Sequence, residues 1–521
     1  MSGPSTDARA FLATHGDVEI RALLAQVADG ASSHLESVYG ATRSVAPAAS
    51  AMEELRRLSA SLPEDGRAAA EVAAELARIG GAAAHASVGP RYFGFVTGGA
   101  LPAALAADWL SSAWDQNAWA APTSPCATHF EALALAWLLQ LLRLPGDAGS
   151  SAALCSGCTA ANVVALAAAR DAVLGAAGWD AAADGLLGAP PITVYAGEEC
   201  HGSVFKALGV VGLGRGGRGR HVRRLAVDAQ GAVSAAAVAG LAPPVAPAIV
   251  VLQAGHVNTG ASDDFGAVIA WARSGADGGR GVWVHVDGAF GLWAAASASA
   301  DRRALVAGAE AADSWATDLH KMLNVPYDSA LVAVRNGRCL HEAMSSTMPY
   351  LPPPASASDG GGGGGGGGGS GTAGSGGAPA LRLPAPELQN SRRARGVVAW
   401  AALQQLGRRG VSALVDGCCA HAALLARRLQ EGGAEVLHAV RFNQALVAFG
   451  DDACTAATAA AIQRDGRCWA AAAPYHGRVV LRLSVSSWRT SEADIEEAAR
   501  AILECAAAVS AAQQAVTAAD S

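Results

Sequence analysis

The chain has 521 residues, 51% of them hydrophobic but only 5% aromatic, and a net charge of −7. That length predicts two or more domains, or one large α/β domain with appendages. The acidic balance argues against a nucleic-acid binder, which needs a basic surface. The arginines from Arg215 to Arg224 are glycine-spaced and read as a solvated loop.

The opening MSGPSTDARAFLATHGD has no basic segment followed by an apolar one, so no secretory signal is expected. Residues 1–84 read as a helical segment, with apolar positions at helical spacing over 50–80. Residues 101–144 continue helical. From about 150, short β-rich runs alternate with Ala-rich helical ones. The runs are Ala152–Cys155, Ile192–Ala196, Val222–Val227, Ala248–Gln253, Val282–Val286, Ser314–Thr317 and Ala330–Val334. Runs that are apolar on both faces and separated by helices predict a buried, mostly parallel sheet. Ligands then bind beyond the carboxyl ends of the strands. The closest approach to a membrane span is 153–170, which is interrupted by Ser156, Thr159 and Asn162 and ends in Arg170, so no membrane partner is expected.

The predicted boundaries are a helical segment at 1–84, a large domain at 85–350, a flexible Gly/Pro-rich loop at 351–390 and a smaller C-terminal α+β domain at 391–521. The loop holds a glycine homopolymer at 360–369, which cannot bury enough surface to offset its chain entropy. Phe442–Phe449 and Val479–Ser486 read as strands of the last domain, and Ser491-x-x-Asp494 as a capping box.

Several polar residues fall at predicted strand ends. Asp287 follows VWVHV; it is either a capping residue or a buried acid waiting for a cation. Lys321, in DSWATDLHKMLNVPYD, sits among Leu319, Met322 and Leu323. A surface lysine is the ordinary case, but these neighbours suggest burial, and a desolvated lysine has a lowered pKa and attacks aldehydes. Together an amine and a carboxylate on successive strand ends fit pyridoxal 5′-phosphate (PLP). The lysine would bind the aldehyde and the acid would keep the pyridine nitrogen protonated. Ser156, Gly157, Cys158 and Thr159 form a strand-to-helix turn suited to a phosphate, although any such turn favours these residues. His201 follows ITVYA and is either a helix cap or a group that stacks on the ring. Cys155-x-x-Cys158 also has redox or zinc spacing, but no second pair completes a metal set, so no metal is expected. Ten scattered cysteines predict a reduced, cytoplasmic protein.

At these residues the chain resembles the PLP-dependent group II amino-acid decarboxylases. The matching blocks are GPRYFGFVTGG (89–99), CSGCTAAN (155–162), HGSVFKA (201–207), QAGHVNTGASD (253–263), HVDGAFGLWA (285–294), DLHKMLNVPYD (318–328), SRRARG (391–396), GRCW (466–469) and LRLSVSSWRT (481–490). The resemblance implies an aspartate-aminotransferase-type α/β fold (fold type I) with a mostly parallel central sheet. It also implies a homodimer whose subunits share active sites, and release of CO2 from an L-amino acid. It assigns Lys321 to a Schiff base with the cofactor, Asp287 to the pyridine nitrogen and His201 to the ring face. Cys158 and Thr159 fall at the phosphate, Asp318 near the cofactor, and His320 at the phosphate or the substrate carboxylate. Tyr92, Phe93 and Thr97 fall in the substrate pocket.

Two departures stand out. Gly157-Cys158 replaces a pair of glycines, which adds a side chain near the phosphate. The family places a proton-donating tyrosine in the loop before SRRARG, whereas ALRLPAPELQN at 380–390 has no aromatic residue and Tyr350 lies beyond the polyglycine. This leaves open an oxidative aldehyde synthase or another carbon–carbon lyase. A non-catalytic scaffold of the same fold is the remaining reading, and it would have no need of Lys321, Asp287 and His201.

Overall fold

A computed structural model describes residues 19–216, 221–345 and 384–519. Tyr350 and the polyglycine run lie outside the described residues. Helix α1 (Ile20–Tyr39) and shorter helical pieces within 49–83 precede α2 (Pro102–Trp114) and α3 (Pro125–Leu141). Both of the latter begin at proline, whose fixed φ and missing N–H suit a first helical position.

The seven strands expected from the apolar runs form one sheet. They are β1 (Ser151–Cys155), β2 (Thr193–Gly197), β3 (Val222–Leu225), β4 (Ala248–Gln253), β5 (Val282–Asp287), β6 (Ser314–Asp318) and β7 (Ala330–Val334). Their spatial order is β1-β7-β6-β5-β4-β2-β3. β3, β2, β4, β5 and β6 run parallel, while β7 is antiparallel to both neighbours. Alternate residues of one strand enter different cores. Val250 and Leu252 pack with Leu138 of α3, and Ile249 and Val251 pack with Val164 and Leu166 of α4 (Cys158–Ala176). β3 departs from the expectation of two apolar faces. It is an edge strand, and its Arg223 and Arg224 are exposed. Helix α4 is the one described helix long and apolar enough to cross a membrane by length and composition, and it carries the Thr159, Asn162 and Arg170 that interrupt the 153–170 run. It packs on β5, β6 and β7 as a core helix and is mostly buried.

Further elements complete the layers: α5 (Gly202–Val210), α6 (Phe265–Arg273) and the single turn α7 (Leu319–Met322). α8 (Arg395–Glu431) opens within SRRARG, as expected, and is broken at Gly407, where φ is 56°. The C-terminal region adds β8 (Glu435–Val436), β9 (Gln444–Ala448), α9 (Asp452–Asp465), β10 (Ala471–Tyr475), β11 (Arg478–Ser484) and α10 (Glu492–Ala519). Its four strands form a separate antiparallel sheet, β10-β11-β9-β8. At the predicted capping box, Ser491 N donates to Asp494 Oδ2 (3.0 Å) and Asp494 N to Ser491 Oγ (3.3 Å).

The arginines of SRRARG each hold a different acid. Arg392 donates to both oxygens of fully buried Glu131 on α3 (3.0 and 2.7 Å), Arg393 to Asp108 on α2 (2.7 Å) and Arg395 to Asp328 (3.0 Å). Residues 384–390, expected as part of the flexible loop, are tied down in part. Ala385 N donates to Ala152 O of β1 (3.0 Å), and both Ala385 and Glu387 are buried. Breaking a buried ion pair from one side strands the other charge. Arg392→Met is therefore expected to destabilise the fold by about 3 kcal/mol. Adding Glu131→Leu should recover most of that loss. Urea denaturation checks both; a single variant as stable as wild type would count against the account.

Candidate active site

β5 and β6 end in Asp287 and Asp318, both nearly inaccessible to solvent. Lys321 lies on the turn α7 directly after β6, and its Nζ is 2.7 Å from Asp318 Oδ2. Asp318 Oδ1 accepts the backbone N–H of Cys158 (2.6 Å), and the Cys158 thiol is 3.4 Å from Asp287 Oδ1. One chain of contacts therefore links the carboxyl ends of β5 and β6 with the turn after β1.

The lowered Lys321 pKa expected from the sequence is not what this arrangement produces. Burial alone would lower it, but the Asp318 charge and hydrogen bond, together with Asp287, outweigh burial and raise it. In the ligand-free chain Lys321 is an ammonium held by Asp318.

Two close approaches fix the lysine turn. A Cβ on Gly98 would lie 2.1 Å from the Lys321 carbonyl oxygen, so only glycine lets the 97–99 segment pass there. Asn324 Oδ1 accepts N–H groups from Gly99 (2.8 Å) and Trp488 (2.9 Å), while its amide donates to Ser486 O (2.9 Å). The sequence blocks around 98, 321 and 487 thus meet at one point.

His320 is buried. Its Nδ1 accepts from Ser329 N (3.1 Å), which places the proton of the neutral ring on Nε2, 3.5 Å from Asp318 Oδ1. Burial lowers its pKa, though Asp318 opposes this. The Tyr327 ring lies 4.3 Å from the His320 ring. Sequence reasoning missed Tyr327, although it sits in the same block as Lys321. Of the expected pocket residues, Tyr92 stacks on Trp469 (4.9 Å, 14°), and Tyr327 raises its pKa further, after burial. Thr97 is half-buried beside Gly98. Phe93 has to be reassigned. It points away from this site into the core of the small domain, with Leu425, Leu483 and Ile502, because adjacent residues of an extended segment face opposite ways. Phe95 is exposed and stacks on Trp469 (5.9 Å).

His201 stands at the carboxyl end of β2, as expected. It acts there as a helix cap: its Nδ1 lies 2.8 Å from Ser203 Oγ and accepts from Ser203 N (3.3 Å), with the ring exposed. The Cys158 side chain turns inward to Asp287, so the extra group beside Gly157 does not project from the turn. Ser156, Gly157 and Thr159 line a cavity of about 370 Å³ together with Lys206 and Asp328; Lys321 and Asp287 do not line it. Lys206 was also missed. It lies within HGSVFKA, but only helix α5 brings it to the cavity. Cys155 and Cys158 are free and buried, and no described group of three or more His, Cys, Asp or Glu residues could hold a metal ion.

Two buried histidines give the fold an acid limit. Burial pushes His285 and His256 down to about 4, against the raising charges of Asp287 and Glu199 respectively. A histidine whose folded pKa lies below its unfolded value near 6.5 contributes stability above that value and loses it as pH falls. The melting temperature is expected to drop as pH goes from 6.5 toward 4. A melting temperature unchanged at pH 4.5 would contradict this.

PLP requires an amine, an acid for the ring nitrogen and donors for a phosphate. Lys321, Asp287 and the α4 N-terminus with Ser156, Thr159 and nearby Lys206 fit that set. The family profile described as "Pyridoxal-dependent decarboxylase conserved domain" matches residues 52–360. Tryptophan decarboxylase 1 of Oryza sativa subsp. japonica is 31% identical over 282 residues, covering 50% of this chain and 51% of that protein. Phenylacetaldehyde synthase of Arabidopsis thaliana is 27% identical over 282 residues, covering 51% of this chain and 53% of that protein. The chain spans about half the length of these curated relatives. The crystal structure of Oryza sativa TDC with PLP and tryptamine superposes with a TM-score of 0.78 at 23% identity, covering 97% of this chain and 99% of that one, which establishes the fold. With more than half its length matched by the profile, the chain belongs to the pyridoxal-dependent decarboxylase family, whose cofactor is PLP.

Proposed function

We propose that this protein removes the α-carboxylate of an L-amino acid, consuming one proton and giving the amine and CO2, with an aromatic amino acid as the favoured substrate. The carrying observation is the placement of Lys321 and Asp287 on adjacent strand ends, joined through Asp318 and Cys158. The substrate class rests on Tyr327, which packs against His320 beside Lys321, on the Tyr92–Trp469–Phe95 stack and on the tryptophan decarboxylase relative.

Bound PLP supplies a conjugated ring that accepts the electrons of the breaking bond. The chain supplies placement and proton control. Lys321 Nζ would hold the cofactor aldehyde, and Asp318 pairs with the lysine charge while the amine is free. Asp287 would hold the proton on the pyridine nitrogen. By the family resemblance His201 would cover a ring face, and the 156–159 turn with Lys206 would receive the phosphate. His320 Nε2 is a proton-holding atom beside Asp318, with the Tyr327 ring tilted against the same imidazole. We further propose a homodimer, because Phe95 and Tyr327 stand exposed near the site and a second subunit would cover them, and a cytoplasmic location, because the described cysteines are free.

A panel of L-amino acids assayed for CO2 and amine tests the reading. Equal release of both from an aromatic substrate is expected; no CO2 from any member would overturn it. Oxidative aldehyde formation, in which dioxygen and water are consumed and ammonia and hydrogen peroxide leave with CO2, is the second reading, favoured by the lack of an aromatic residue at 380–390 and by the phenylacetaldehyde synthase relative. Hydrogen peroxide and aldehyde in place of amine would establish it.

A further inference from the structure

Helix α4 runs almost unbroken in Ala, Val and Leu from Ala160 to Ala169, with one strongly polar residue, Asn162. Asn162 is fully buried, as are His285 of β5 and Ser314 of β6. Such groups are costly in a sheet–helix interface unless each finds a partner, and here each does. Trp283 Nε1 donates to Ser314 Oγ (2.8 Å), and Ser314 Oγ is 2.9 Å from His285 Nδ1. His285 Nε2 is 3.0 Å from Asn162 Oδ1, and Asn162 Nδ2 donates to Asp287 Oδ2 (3.1 Å).

The direction of this chain is forced from both ends. An indole N–H only donates, so the Ser314 hydroxyl accepts from Trp283 and gives its own proton to His285 Nδ1. A carboxylate only accepts, so the Asn162 amide must turn its NH2 to Asp287 and its oxygen to His285. Both constraints require the same neutral imidazole, with the proton on Nε2. Every donor therefore points toward Asp287, whose other oxygen accepts from Ala289 N (3.2 Å) and faces the Cys158 thiol.

We propose that Trp283, Ser314, His285 and Asn162 form a one-way hydrogen-bond relay that positions Asp287 and presents it as an acceptor to the cofactor nitrogen. None of the four lines the cavity beside the phosphate turn. They act through Asp287 and are positioning residues. The inference rests on the reading that Asp287 pairs with that nitrogen.

The test loads the enzyme with PLP carrying 15N at the pyridine position and reads the nitrogen resonance, with kcat and KM measured on the same samples. Asn162→Leu is expected to move the resonance toward that of the unprotonated nitrogen and lower kcat about tenfold, with little change in KM. Ser314→Ala should move it the same way by less, whereas Ser314→Thr, which keeps the hydroxyl, should restore the wild-type position. Asn162→Leu should cost nothing further when Asp287 is already asparagine. If Asp287→Asn shifts the resonance while Ser314→Ala and Asn162→Leu leave it in place, the relay is wrong and the Asp287 reading stands. If Asp287→Asn leaves it unmoved, the Asp287 reading fails and the relay with it. Should Asn162→Leu not fold, the Ser314 pair decides the question alone.

Discussion

Lys321→Ala is expected to abolish the visible absorbance of the PLP-loaded protein and to lower turnover by roughly 10⁴-fold or more, the scale of losing a covalent catalyst. No other lysine is placed to substitute: Lys206 lines the cavity beside the phosphate turn, and Lys321 is the lysine paired with Asp318. The ion pair adds a second expectation. Only a neutral amine attacks an aldehyde, yet Asp318 keeps this amine charged. Cofactor loading should therefore quicken by about tenfold per pH unit as pH rises from 7 to 9, since the neutral fraction grows by that factor. Asp318→Asn should speed loading at pH 7. Absorbance spectra of gel-filtered protein and stopped-flow loading traces check these outcomes. A colourless wild type after addition of PLP would remove the basis for every role assigned to Lys321.

Asp287→Ala is expected to keep the cofactor and lose turnover by about 10³-fold, the cost of deleting a preorganised charge at the reacting system. The cofactor stays because Asp318 holds both Lys321 Nζ and the backbone N–H of Cys158 in the 156–159 turn; only the Cys158 thiol loses its contact with Asp287. Turnover falls because the ring nitrogen loses the group that holds its proton. Asp287 also receives hydrogen bonds from Asn162 and Ala289, so the alanine variant strands a buried amide and should be less stable as well. Asp287→Asn keeps the volume and separates the two effects. Near-normal turnover in both variants, with bound cofactor, would mean that another group faces the nitrogen.

Much of this site could be read from the sequence because its parts follow strands. Six of the seven runs, all but β3, are buried on both faces or nearly so, and polar successors fall at carboxyl ends, where Asp287, Asp318 and His201 are found. Other features needed the coordinates. β10 was missed because its sequence, AAAPY, carries a proline and small residues; it is an edge strand bonded only to β11, where proline is tolerated. Phe93 and Tyr92 are neighbours in one block, and nothing in their spelling says which faces the lysine. The raised pKa of Lys321 depends on the aspartate three residues earlier pointing at it, and burial alone suggested the opposite shift. The Cys158 thiol counted as bulk near a phosphate until its direction was known.

The place of β7 has a consequence for how the protein is made. β1 carries the 156–159 turn, and its only strand neighbour in the sheet is β7, with Ser151 opposite Val334 and Cys155 opposite Ala330. β7 in turn separates β1 from β6, the strand that leads into Lys321. On the ribosome the turn is synthesised long before the strand that seats it. Pairings between segments so far apart in the chain form slowly. Until residue 334 has emerged, β1 has no strand partner in the sheet, and only the packing of α4 on β5 and β6 sets the turn against the lysine. A nascent chain stalled before that point would hold every residue of the turn and Lys321 itself, yet the strand that leads into the turn would be unpaired.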